Sequence, residues 1–170
     1  MVATLAPDAL AGEEKPLDLP GSTQWAYYPG YEFPGAKGGR RLENTDGRDA
    51  VIVSYDFSGG GAYIIAGAKV EIAQGAAELR FDVRADRELK ILVRMEDSEK
   101  QTHQYPLHYD TPGQWQTMTI RFGEPAAKSF GGPADGTIRY PILKFWAGVG
   151  KSQAAMEPGE AAFSNFRLFE

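Results

Sequence analysis

The stretch LKILVRMEDSEKQTHQYPLHY, residues 89–109, has the pattern of two strands joined by a polar turn. In its first arm apolar residues alternate with mostly polar ones: Ile91, Val93 and Met95 against Lys90, Arg94 and Glu96. Successive side chains of a strand point to opposite faces, so one face of this hairpin is predicted to lie on a core. In the second arm we predict that His103 and Tyr105 lie across from Arg94 and Glu96.

Similar short runs recur along the chain, separated by turns rich in Gly, Asp, Asn and Pro. Their alternation predicts strands at residues 51–57, 62–72, 78–85, 89–96, 102–109, 115–122, 138–148 and 161–169. No segment keeps the spacing of an amphipathic helix over three turns. The sequence therefore predicts an all-β fold, a two-sheet antiparallel β-sandwich or jelly roll.

The composition is that of one globular domain, with 170 residues, 42% hydrophobic and 24% charged. Residues 1–22 lack any sustained period and are predicted to be a flexible tail or linker, with the sandwich domain over 23–170. The net charge of −5 and the absence of a basic run argue against a nucleic-acid partner. The absence of cysteine excludes disulfides, thiolate metal sites and a cysteine nucleophile.

The first residues show neither the basic nor the long apolar region of an intact signal peptide. No segment approaches the roughly 20 apolar residues of a membrane span. We therefore predict no membrane span and interpret the chain as one that begins after a removed leader.

The outward rows of the predicted strands carry the two kinds of group that a carbohydrate ligand needs. Aromatic rings supply flat apolar surface for sugar rings, and planar polar groups hydrogen-bond to hydroxyls. If their strands share a sheet, these residues form one surface: Arg80, Arg84, Arg94, Glu96, His103, Tyr105, Lys144 and Trp146. The alternative interpretation is a solvated face with a rim aromatic, because most exposed charges do nothing specific.

Signals for catalysis are few, and we expect a protein that is not an enzyme. His103 and His108 lie five residues apart on one strand and should point to opposite faces, against a shared metal. No GxSxG motif is present, and no Ser, His and Asp group is suggested by spacing. The catalytic alternative is a small jelly-roll polysaccharide lyase or hydrolase that uses Glu96, His103 or Tyr105.

The turn ENTDGRD, residues 43–49, offers oxygen ligands from Asn44 and Asp46 to a hard cation such as calcium. The spacing is not that of an EF-hand loop, since Gly47 comes too early and no Glu closes the loop. A plain Asp-Gly turn is the favoured interpretation.

Six segments together resemble the galactose-binding-like β-jelly-roll domains that accompany bacterial glycoside hydrolases, including noncatalytic carbohydrate-binding modules. They are YEFPGAKG (31–38), VSYDFSGGGAYI (53–64), LKILVRMEDSEKQTHQ (89–104), GQWQTMTIRF (113–122), GGPADGTIRYPI (131–142) and the closing FSNFRLFE.

The resemblance implies a two-sheet antiparallel sandwich that binds glycans on a concave sheet face or at loop tips. It also implies a structural calcium near the chain ends, for which Glu32 is a candidate ligand by analogy; Asp46, from the turn at residues 43–49, is the other candidate metal ligand. A closing strand in these modules commonly has Asp before Asn, whereas Ser164 precedes Asn165 in this chain. No other cofactor is expected.

The leading hypothesis is a noncatalytic polysaccharide- or oligosaccharide-binding module of an extracellular or periplasmic glycan-degrading system, covalently linked to a catalytic domain in the full-length protein. In it Trp146 stacks on a sugar ring, and Arg94 and Glu96 bracket hydroxyls. The alternative is a structural β-sandwich that braces a neighbouring catalytic domain with its outer rows covered.

Overall fold

The computed structural model describes residues 12–17, 19 and 24–170. Its strands are β1 (Glu14–Pro16), β2 (Ala26–Tyr28), β3 (Lys37–Thr45), β4 (Arg48–Asp56), β5 (Tyr63–Ile72), β6 (Glu78–Ala85), β7 (Leu89–Glu96), β8 (Thr102–Tyr109), β9 (Gln116–Arg121), β10 (Lys128–Phe130), β11 (Ile142–Gly150) and β12 (Gly159–Phe169). One 3-10 turn, Gln153–Ala155, precedes β12.

The strands form two antiparallel sheets. Sheet A has the order β3-β4-β12-β6-β9, with β1 also paired to β12, and sheet B has the order β10-β8-β7-β11-β5-β2. The prediction of an all-β, two-sheet antiparallel sandwich is confirmed. Each predicted strand corresponds to one in the structure, and the boundaries of β6, β7 and β8 match the prediction at both ends.

The core lies between the inner faces of the two sheets and is built from alternate apolar residues. Phe81 of sheet A contacts Phe145 of sheet B at a centroid distance of 5.9 Å. Phe166 lies 5.6 Å from Phe81 and 5.4 Å from Phe145, so the three rings join the sheets. This aromatic packing fixes both sheets and leaves their opposite faces outward.

Part of the predicted tail belongs to the sandwich. Glu14–Pro16 pairs with the end of β12, from Phe169 back to Arg167, and Leu19 is buried in the core. The predicted boundary at residue 23 is therefore too late for this segment, because a three-residue strand shows no period in the sequence. Residues 1–11, 18 and 20–22 of the predicted tail lie outside the described residues.

The sequence pattern did not predict β3, the first arm of the β3–β4 hairpin, although it predicted the turn. Asp46 and Gly47 have φ of 54° and 77°, the left-handed conformations that a two-residue hairpin turn requires. The Asp-Gly turn is confirmed. β3 escaped prediction because it is an edge strand with mostly exposed side chains and no hydrophobic alternation.

Within the described residues, no helix has the length and hydropathy that crossing a membrane would require.

Candidate functional site

The outer face of sheet B collects side chains from all six of its strands and from the loop after β2. Residues directly opposite one another in neighbouring strands share a face, so the register defines rows across the sheet. The polar and aromatic residues of this face are Tyr28, Glu32, Tyr63, Lys69, Glu71, Lys90, Arg94, Glu96, Thr102, Gln104, His108, Lys128, Phe130, Lys144 and Trp146.

Trp146 lies near the middle of this face, on the central strand β11. It is opposite Gly67 of β5 on one side and Arg94 of β7 on the other. A Cβ atom at Gly67 would overlap the indole and come within 2.8 Å of its Cε2. The ring therefore lies on the bare backbone of β5, half-buried, with the edge of Tyr28 at a centroid distance of 6.5 Å.

Two depressions flank the indole. The larger has a volume of about 650 Å³ and is lined by Gln24, Trp25, Ala26, Gly67, Ala68, Lys69, Lys144 and Trp146. The smaller has a volume of about 390 Å³ and is lined by Tyr28, Glu32, Ile65, Arg94, Glu96, Thr102, Phe130 and Trp146. Trp146 lines both, so the two depressions adjoin one aromatic surface.

A hydrogen-bond network fixes the polar groups beside the indole. The hydroxyls of Tyr28 and Tyr63 both donate to the carboxylate of Glu32, the former at 2.7 Å. Burial alone would raise the pKa of Glu32, but these two hydrogen bonds outweigh it and hold the pKa below its usual value. Burial and the bond to Glu32 raise the pKa of Tyr63 well above its ordinary value. Glu32 is thus an anion held by two neutral phenols.

Arg94 is fixed in the same network. Its Nη1 donates to the Tyr63 hydroxyl and its Nε to Gln104 Oε1, both at 2.9 Å. Its guanidinium also lies over the rings of Tyr63 and Phe130, at 4.3 and 5.3 Å from their centroids. The side chain is therefore held in place while its Nη2 makes no hydrogen bond to the described residues.

The neighbouring row contains an ion pair. Lys144 Nζ lies 2.8 Å from Glu96 Oε1. Lys69 is directly opposite Lys144 on the other side and is exposed. The row thus sets two lysines and one carboxylate beside the indole.

The structure brings four of the predicted site residues together on this face: Arg94, Glu96, Lys144 and Trp146. Their proximity agrees with the alternation of β7 and β11. Their predicted role in binding stays a prediction.

The predicted position of His103 and Tyr105 on the outer face is wrong. The register sets Gln104 opposite Arg94 and Thr102 opposite Glu96, so the other row of β8 points into the core. His103 is 1% exposed and Tyr105 9% exposed. Burial raises the pKa of Tyr105 to about 12.

His103 has a structural environment of its own. Its Nε2 lies 3.0 Å from the buried carboxylate of Asp97, and its Nδ1 lies 3.2 Å from Ser129 Oγ. Ser129 is on β10, so the imidazole joins the β7–β8 turn to the edge strand. An imidazole 1% exposed beneath the sheet has no access to a polymeric substrate.

The predicted inclusion of Arg80 and Arg84 in the same surface is also wrong. Both lie on β6, which belongs to sheet A, so they point from the opposite side of the sandwich. Arg80 Nη2 donates to Glu78 Oε2 at 2.7 Å, and Arg84 forms an ion pair with Asp46. Sequence alternation assigns a residue to a face of its strand but does not assign the strand to a sheet.

The predicted calcium ligands already bind other side chains. Glu32 accepts from two tyrosines, and Asp46 accepts from Arg84 and from Trp115 Nε1. Over residues 12–17, 19 and 24–170, no group of three His, Asp or Glu side chains is arranged to hold a metal ion. The donor set does not fit a calcium site at either residue.

Sequence reasoning missed several residues of this face: Tyr28, Tyr63, Gly67, Lys69, Gln104 and Phe130. Alternation could have predicted Tyr63 and Lys69, because both occupy the same alternating row of β5. Tyr28 and Phe130 lie on three-residue strands that give no periodic signal.

This sandwich resembles solved structures of modules that bind glycans. A family 11 carbohydrate-binding module from Clostridium thermocellum, in complex with a β-1,3-1,4-mixed-linked tetrasaccharide, matches with a TM-score of 0.68 at 20% sequence identity, covering 93% of this chain and 96% of that one. A family 29 carbohydrate-binding module complexed with cellulohexaose matches with a TM-score of 0.53 at 12% identity, covering 94% and 92%. The chain has the carbohydrate-binding-module fold.

The same carbohydrate-binding-module fold matches part of a larger protein. An exo-β-agarase matches with a TM-score of 0.56 at 12% identity, covering 88% of this chain and 23% of the agarase chain. No family model and no curated protein matches the sequence. The similarity is therefore one of fold.

Proposed function

We propose that this protein is a noncatalytic polysaccharide-binding module that holds its ligand along the outer face of sheet B. The observation that carries the proposal is the indole of Trp146 lying on Gly67, half-buried, between two depressions. Sugar rings stack on such a surface through their C–H faces, and fixed polar groups around it select the hydroxyl pattern. The fold shared with carbohydrate-binding modules supports this proposal.

Preorganisation supports the same role. Arg94 is held by Tyr63, Gln104 and Phe130, so little side-chain entropy is lost when its remaining N–H groups meet a ligand. Glu96 Oε2 makes no hydrogen bond to the described residues and offers an acceptor two residues from Arg94 on the same face of β7. A planar donor and a carboxylate acceptor beside an aromatic ring suit adjacent hydroxyls of one sugar.

The arrangement of acids argues against glycoside hydrolysis. Glu32 and Glu96 line one depression, but a general acid needs a raised pKa, and that of Glu32 is lowered by two tyrosine hydroxyls. His103 and Tyr105, which the lyase alternative requires, lie beneath the sheet. We therefore favour binding without catalysis.

We further propose that the module is linked covalently to a catalytic domain and acts outside the cell or in the periplasm. The agarase comparison supports this, because a similar fold makes up about a quarter of that chain. Polymeric glycans are met by such systems outside the cytoplasm.

Affinity electrophoresis and calorimetry against neutral and acidic polysaccharides test the proposed function. Trp146→Ala removes the stacking surface, and burying about 80 Å² of ring is worth ~2 kcal/mol, a roughly 30-fold change in Kd. The matched control is Trp115→Ala, which removes a half-buried tryptophan from the sheet A side. Retardation by a glycan that Trp146→Ala abolishes and Trp115→Ala preserves supports the proposal. Absence of binding to every glycan, or equal loss in both variants, overturns it.

A further inference from the structure

The outer face of sheet B differs in charge from the rest of the chain. Its cationic side chains are Lys69, Lys90, Arg94, Lys128 and Lys144, and its carboxylates are Glu32, Glu71, Glu96 and Glu88, which lies beside His108. This face therefore has a formal charge of +1 in a chain whose net charge is −5. A positive face on an acidic protein attracts anionic groups locally.

The larger depression concentrates this charge. Lys69 and Lys144 are directly opposite on β5 and β11, and no carboxylate is among its lining residues. Like charges directly opposite on a sheet are destabilising. Glu96 neutralises only Lys144, at 2.8 Å, and Lys69 makes no ion pair with a described residue. The depression thus keeps an uncompensated cation beside an aromatic ring.

We infer that the ligand is an anionic polysaccharide and that the larger depression binds an acidic sugar residue, with its carboxylate or sulfate group between Lys69 and Lys144 and its ring on Trp146. This inference rests on the proposed function and names the ligand class for the same face.

The distance between Lys144 and Trp146 along β11 fits an acidic sugar residue. Lys144 and Trp146 are two residues apart on one strand, which corresponds to about 6.6 Å. A pyranose ring with an exocyclic acidic group covers this distance. The ammonium group of Lys69, and the N–H groups of Lys144 that do not point to Glu96, can then donate charge-assisted hydrogen bonds to one anionic group.

The test compares anionic and neutral polymers at two salt concentrations. The anionic probes are polygalacturonate and alginate, which carry carboxylates, and κ-carrageenan, which carries sulfate; the neutral probes are mixed-linkage β-glucan and agarose. We expect Kd for an anionic probe to rise at least tenfold between about 0.01 and about 1 M ionic strength, over which the Debye length falls from about 30 to about 3 Å. The carboxylate and sulfate arms show which anion is preferred.

The variant is Lys69→Gln, and the charge-matched control is Lys37→Gln on the edge strand β3 of sheet A. We expect Lys69→Gln to weaken binding of the anionic probe about tenfold and Lys37→Gln to leave it within about twofold. Binding of neutral probes alone, lost in Trp146→Ala but unaffected by salt and by Lys69→Gln, overturns this inference and leaves the proposed function standing. Binding of no probe at all overturns both.

Discussion

The position of Trp146 depends on a glycine that serves neither a turn nor a positive φ. Gly67 lies in the middle of β5 with an ordinary extended backbone, and its missing side chain is the space that the indole occupies. A glycine within a strand often marks a close approach of this kind. The sequence indicated the row of Trp146 through alternation, but nothing in it linked Gly67 to a residue 79 positions later.

Gly67→Ala is expected to weaken glycan binding as strongly as Trp146→Ala, because the new methyl group displaces the indole. The matched control is Gly123→Ala, where a Cβ would meet nothing within 4 Å. Tryptophan fluorescence and calorimetry measure the displacement and the Kd, and circular dichroism checks the fold. Full affinity of Gly67→Ala for the glycan would contradict the conclusion that binding requires the Trp146 indole to lie on the backbone of Gly67.

Asp97 is a second residue whose role follows from burial. Its carboxylate accepts from His103 Nε2 and from the backbone N–H groups of Glu99, Gln101 and Arg139. Burial alone would raise the pKa of Asp97, but these bonds outweigh it and hold the pKa below its usual value. Asp97 thereby ties the β7–β8 turn to the segment before β11.

A carboxylate with a lowered folded-state pKa stabilises the fold above its unfolded pKa, and that contribution is lost as pH falls through the folded value. Asp97→Asn should therefore cost about 2 to 3 kcal/mol of unfolding free energy at pH 7, since it leaves buried donors without their anion. Urea unfolding between pH 7 and pH 2 measures this. The gap between variant and parent should narrow below about pH 4. A gap that stays constant down to pH 2 would contradict the assignment.

At the scale of elements, the strands whose rows differ clearly in hydropathy were predicted well. β7 and β11 have one apolar row each, and their outward residues Arg94, Glu96, Lys144 and Trp146 are where alternation put them. β8 has a weaker contrast, because its inward residues His103 and Tyr105 carry polar atoms, as do the outward residues Thr102 and Gln104. Pairing with β7, and the hydrogen bond of His103 to Asp97 beneath the sheet, determine which residues of β8 face inward.

The assignment of strands to sheets could not be predicted from alternation. β6 and β7 are consecutive, yet β6 pairs with β12 and β9 in sheet A while β7 pairs with β11 and β8 in sheet B. Sequence neighbours therefore present Arg80 and Arg94 on opposite sides of the molecule. Only long-range pairing, which no local pattern encodes, separates them.

At the scale of the whole molecule, the two outer faces use their charges differently. On sheet A, Asp82 accepts from Arg48 Nη1, Thr117 Oγ1 and Asn165 Nδ2, all at 2.8 to 2.9 Å. Charges there largely neutralise one another. On sheet B, Lys69 makes no ion pair with a described residue and the Trp146 indole is only partly buried. This contrast favours sheet B as the binding face.

The most direct test of this account is a two-dimensional amide NMR titration of the full chain with an oligosaccharide of the polymer that it binds most tightly. We predict that the shifted resonances belong to β5, β7 and β11, centred on Gly67, Arg94 and Trp146, while those of β4, β6 and β12 stay unchanged. Shifts centred on sheet A, around Asp82 and Trp115, would contradict the account.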